Sequence, residues 1–142
     1  MILASHLATR ASGAPAPGAG YRPGVCNIGP AEIDRRRRAG HVGLGATIVL
    51  AVGLAAVGAP PLLRLIVAVP AAVAASGYLQ AWLRFCAGFG SRGVFNFGSL
   101  GRTESVEDAE ARRRDRARAT RIGLASIAIG LVVAVAAMLL PL

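Results

Sequence analysis

Three uncharged apolar spans separated by arginine clusters constrain this chain more than any other feature. His41–Ala59, Leu65–Leu83 and Ile122–Leu142 contain no Asp, Glu, Lys or Arg. A bilayer core about 30 Å thick takes about 20 helical residues to cross, and each span is of that order. The chain therefore reads as an all-α integral membrane protein with three transmembrane helices, at about 41–59, 62–83 and 122–141. The first two form a helical hairpin, and a charged helix leads into the third.

Composition fits that class. Hydrophobic residues make up 54% of the chain and aromatics only 5%. Ala, Gly, Val and Leu dominate, which suits thin helices packed closely in lipid. All 16 basic residues are Arg. A guanidinium binds phosphate bidentately, although a GC-rich genome gives the same bias. The net charge of +9 points to an anionic partner, and anionic lipid headgroups come first in a membrane protein. No nucleic-acid-binding signature accompanies the arginines, so nucleic acid is not expected.

Arginines also set the expected topology, because they mark the cytoplasmic side. Arg35, Arg36, Arg37 and Arg38 precede the first span. Arg84 opens the long connector, and Arg112, Arg113, Arg114 and Arg121 lie near its end. The loop Ala59-Pro60-Pro61 is short and uncharged. A multi-pass protein of the cell inner (plasma) membrane follows, with the N-terminus cytoplasmic and the C-terminus outside. The arginines just named are expected to touch headgroups or a partner, as is Trp82, which sits in an aromatic belt with Tyr78, Phe85, Phe89, Phe95 and Phe97. Arg64 enters the second span alone and is expected to snorkel to the outer headgroups.

The chain divides into an Ala/Gly/Pro-rich tail over 1–25, expected to be disordered, a hairpin unit over 26–98, and the charged helix with its span over 99–142. Val25 could also mark the true start, since valine codons serve as bacterial starts. Gly29-Pro30-Ala31-Glu32 reads as a helix start, with Pro at the first position and an acid in the first turn. Pro70 should bend the second span. Phe85–Arg102 fits a loop, a re-entrant turn or an interfacial helix. The charged helix should begin near Ser105 as N-cap, with Asp108/Arg112 and Glu110/Arg114 as i,i+4 pairs.

Small residues recur every four positions in each span: Gly43, Thr47, Ala51 and Ala55; Ala68, Ala72 and Ser76; Ser126, Gly130 and Ala134. Such stripes let helices approach closely, within one chain or between chains. Other membrane helices are therefore expected partners, in a homo- or hetero-oligomer.

Cys26 and Cys86 are the two cysteines. The hairpin returns Cys86 to the level of Cys26 on the cytoplasmic side, where a structural disulfide is not expected. They are packing residues or a candidate thiol pair. A zinc site would want closer spacing and more ligands. No P-loop, dinucleotide fingerprint or HExxH is present, and the spans hold no acid to relay protons. No catalytic residue, metal or cofactor is expected.

Asn27, Gly29, Glu32 and Arg35 open, and Cys86, Gly93 and Asn96 close, a pattern that resembles the YgaP-like transmembrane domain family over residues 26–96. The chain departs from that pattern at Ala87, where the family has Pro, and in its third span. The resemblance implies a cytoplasm-facing hairpin that dimerises and associates with sulfur-handling partners. The functional expectation is a non-enzymatic accessory or interaction subunit of a membrane complex. A thiol-based redox or sulfur-transfer component using Cys26 and Cys86 is the alternative.

Overall fold

The structure is a computed structural model and describes residues 20–141. Its elements run α1 (Pro30–Ala56), a 3-10 segment (Pro61–Val67), α2 (Ala68–Leu83), α3 (Ala87–Arg92), β1 (Val94–Phe95), β2 (Glu104–Ser105) and α4 (Ala109–Leu139). Among the described residues three stretches are long and apolar enough to cross a membrane: Pro30–Ala56, Pro61–Leu83 and Ala109–Leu139. That architecture is compatible with a multi-pass membrane protein.

The middle helix α2 packs against both α1 and α4, and the small residues decide how closely. A Cβ added at Gly77 would lie 2.7 Å from the Arg36 carbonyl oxygen, and one at Gly43 would lie 2.6 Å from the Ala74 amide nitrogen. On the other side, a Cβ at Gly130 would sit 2.8 Å from that of Ala72. Backbones thus meet with almost nothing between them, the arrangement that small-residue faces permit. Gly43, Thr47, Ser126, Gly130 and Ala134 are buried, and Ala51, Ala55, Ala68, Ala72 and Ser76 are half-buried. The buried hydroxyls turn back on their own helices, Thr47 to Gly43 O at 2.7 Å and Ser126 to Ile122 O at 2.8 Å, so neither hydroxyl is stranded.

Pro70 does not bend the middle of a helix. The segment from Pro61 is 3-10, and α geometry begins only at Ala68. Pro70 is therefore in the first α turn, where a missing N–H costs no α-helical bond.

Arg64 is placed differently from expectation. It is 6% exposed, with Nε donating to Ala59 O and Nη1 to Leu140 O, both at 3.0 Å. Instead of reaching headgroups, it ties the α1–α2 loop to the end of α4. A cation facing the free carbonyls of a helix C-terminus is well placed electrostatically.

At the other end the connector folds. α3 is followed by an antiparallel pair, Val94 with Ser105 and Phe95 with Glu104. Ser105 therefore belongs to a strand, and the N-cap of α4 is Asp108, whose Oδ2 accepts from Ala111 N at 2.8 Å. Asp108 is thus spent on the cap and not on Arg112, while Glu110 pairs with Arg113 at 2.8 Å and Arg114 at 3.4 Å. The expected tail also changes. Residues 1–19 lie outside the described residues, but Gly20–Val25 is folded, in a hook closed by Arg22 and Cys26.

Glycine substitutions test the packing. Gly77→Ala should cost about 1–3 kcal/mol by driving backbones apart. Gly45→Ala, with nothing within 4 Å of the new atom, should be neutral or slightly stabilising. Unfolding of the detergent-solubilised variants, followed by circular dichroism, should separate them; equal stabilities would contradict the packing.

Candidate functional site

The N-terminal hook, the end of α2 and the connector meet in a polar clasp built on Asn27. α2 ends with Arg84 in the left-handed region (φ 53°, ψ 38°). Phe85 N returns to Gln80 O at 3.0 Å and Arg84 N to Ala81 O at 3.4 Å, the pattern of a Schellman closure. This reversal leaves the Cys86 N–H inside the protein without a helical partner, while its carbonyl already accepts from Gly90 N at 2.9 Å at the start of α3. Asn27 satisfies the N–H and adds a second bond to the carbonyl, because a primary amide is acceptor and donor at once. Its Oδ1 accepts from Cys86 N at 2.6 Å and its Nδ2 donates to Cys86 O at 3.0 Å. Its own N–H donates to Arg84 O at 3.2 Å, and its carbonyl accepts from Asn96 N at 3.0 Å.

Asn96 is the second node. Gly29 N donates to its carbonyl at 2.8 Å. Its Nδ2 donates to Ser99 O at 2.9 Å and Glu32 Oε1 at 3.2 Å, and its Oδ1 accepts from Gly98 N at 2.9 Å. Glu32, fully buried, is 3.5 Å from the Arg36 guanidinium. Arg36 also donates to the Cys86 sulfur at 2.8 Å and lies over the Phe89 ring. Ile28, Cys86 and Phe89 fill the space beside this network.

A second buried acid completes the join. Asp115, on α4, accepts from the Tyr21 hydroxyl at 2.6 Å and from Gly24 N at 2.7 Å. Tyr21 stacks on Phe95 with centroids 4.7 Å apart. Burial pushes the Tyr21 hydroxyl well above the ordinary tyrosine range, and its bond to Asp115 and the charge of Asp115 and Asp108 push the same way. Asp115 lies on the face that carries Ala111, Ala119, Ile122, Ser126, Gly130 and Ala134. The small-residue stripe of the third span thus extends back into the charged helix, and that spacing is the signal by which Asp115 could have been found.

The residues singled out in the sequence divide in two. Arg35, Arg37, Arg38, Arg84, Arg112, Arg113, Arg114, Arg121 and Trp82 are exposed, whereas Arg36 turns inward to Glu32 and Cys86. The cysteines are free and have separate surroundings. Cys86 is 3% exposed inside the clasp. Cys26 is half-buried, with its sulfur toward Ile28 O at 3.8 Å. Of the residues that carry the family resemblance, Asn27, Gly29, Glu32, Cys86 and Asn96 gather in the clasp. Gly93 takes a positive φ and accepts from Val106 N, and Arg35 stands outside. Among the described residues no three of His, Cys, Asp and Glu gather to hold a metal ion.

Beside the clasp runs a groove of about 780 Å³ between the start of α1 and the end of α2. Arg22, Arg37 and Arg84 line it, with Asp34 as the only carboxylate among the described residues.

Two outcomes follow. Asn27→Ala leaves the buried Cys86 N–H without a partner and should cost about 1–3 kcal/mol, read from chemical unfolding; a loss under about 0.5 kcal/mol would contradict the clasp. Tyr21 has a native pKa above its unfolded value near about 10. Its contribution is therefore complete below that value and lost as pH rises through the native one. Phenolate absorbance should show one late-ionising tyrosine that Tyr21→Phe removes; identical curves would contradict the buried bond.

No family model, curated protein or solved structure matches this chain.

Proposed function

We propose that the chain is a non-enzymatic multi-pass protein of the inner membrane that serves as an accessory or interaction subunit. In this reading the clasp end and the N-terminus are cytoplasmic, and the last residues of α4 lie outside. The observation that carries it is the division of polar groups at the clasp end. Asn27, Glu32, Asn96 and Asp115 are buried and bonded within the chain, while most arginines of that end face outward. Such an end is a rigid platform that presents positive charge to lipid headgroups or to an acidic partner. The outward faces of the helices carry Val42, Val49, Val52, Leu124 and Val132, all exposed, and would meet lipid tails or partner helices.

The thiol alternative draws on the Arg36 guanidinium 2.8 Å from the Cys86 sulfur. Chemistry at that sulfur needs the clasp to open first, which favours the accessory reading.

Purification of the tagged full chain from native membranes in a gentle detergent, followed by mass spectrometry, tests the proposal. A stoichiometric membrane partner is expected, and it should still be recovered with Cys26→Ser/Cys86→Ser. Recovery of the chain alone, or loss of partner and function in the double variant, would overturn it.

A further inference from the structure

We infer that the groove beside the clasp is a binding site for the phosphate-bearing headgroup of an anionic phospholipid, held by Arg22, Arg37 and Arg84. The site rests on the membrane-embedded reading above, but not on the accessory role.

Charge is the first argument. The three arginines come from three different elements, the hook, α1 and the end of α2, and converge on one groove. Asp34, the single carboxylate there among the described residues, is already 3.2 Å from Arg37. Among the described residues Arg22 and Arg84 have no carboxylate within 4.0 Å. Guanidinium groups left unpaired around one space suit a phosphate diester, which they can grip through paired hydrogen bonds.

Position is the second. The groove lies where the apolar runs of α1 and α2 give way to charge, the level of headgroups in a spanning protein. Ile28, Ile33, Ala81 and Phe97 give it apolar walls. Those walls suit the glycerol and first acyl carbons of a lipid better than a fully hydrated ion. Trp82 stands on the rim, 80% exposed, as indoles do at membrane interfaces.

The third is the backbone of Arg84. Its left-handed conformation is the one that glycine normally supplies at a helix end, and a residue with a Cβ is strained there. Closing α2 needs the conformation but not the side chain. The guanidinium in the groove is what a glycine would lack.

This separates folding from binding in a test. The full chain would be placed in phosphatidylcholine nanodiscs with rising fractions of phosphatidylglycerol. The emission of Trp82, the one tryptophan of the chain, reads the groove, and native mass spectrometry reads retained lipid. A saturable emission change and one retained phosphatidylglycerol per chain are expected. Arg84→Gly and Arg22→Gln should each weaken retention about tenfold. Arg84→Gly should melt no lower than the parent, because glycine relieves the φ. Retention equal to the parent in both variants would overturn the site. So would an equal emission change with inorganic phosphate alone in phosphatidylcholine discs, which would make the ligand a free anion. Release of the chain by a carbonate wash would defeat the membrane reading itself, an outcome distinct from an embedded chain that retains no lipid.

Discussion

The amide of Asn27 on the backbone of Cys86 is the interaction on which the rest of the clasp end depends. α2 must stop and turn so that the connector can return to α4. That turn puts the Cys86 N–H inside the protein at a point where neither helix nor strand can satisfy it, while the Cys86 carbonyl opens α3 by accepting from Gly90 N. A buried backbone group left unmade costs about 1–3 kcal/mol, so the turn is tenable only with an acceptor for that N–H, and an amide can bond the neighbouring carbonyl as well. Asn27 does so at 2.6 and 3.0 Å, and its own backbone joins α2 to Asn96. Everything else there is arranged around that join. Ile28 pairs with Asn96, Glu32 meets Asn96 from the first turn of α1, and the hook reaches across to Asp115.

The opposite end is closed by different chemistry with the same logic. Arg64 is buried and gives hydrogen bonds to two carbonyls from separate segments. The α2 column is thus tied at one end by an amide network and at the other by a guanidinium. Between them, among the described residues, α1, α2 and α4 hold no side-chain polar bonds to one another except His41 with Tyr78 at 2.7 Å, near the clasp. Close approach at Gly43, Gly77 and Gly130 does the rest. Dispersion between backbones is weak per atom and adds up only at such distances, which is why the ties at the two ends matter.

Much of this was legible in the chain. The three spans, the helix start at Pro30 and the stripes around Gly43 and Gly130 follow from charge and periodicity, and the helices run where those signals place them. The clasp was not legible, because its bonds join residues about 60 positions apart and an Asn in a loop is locally just a turn residue. Arg64 and Arg36 misled for one reason: an arginine near the end of an apolar span has two solutions, outward to solvent or inward to carbonyls and acids. Only the tertiary neighbours choose between them. Ser105 lost its capping role because Asp108, three residues on, could cap once Ser105 had paired with Val94. Periodicity does point to Asp115: it sits in step with Ala119, Ile122 and Ser126, and an acid in register with a buried stripe asks for a donor.

If the clasp is a folded unit and not a loop resting on the helices, its amides must be as hard to open as the helices themselves. Hydrogen exchange resolved by NMR on the reconstituted chain measures this directly. The amides of Gly24, Gly29, Cys86 and Asn96 should exchange as slowly as those in the middle of α2. Exchange of these four at the rate of an open loop, with the helices still protected, would contradict it.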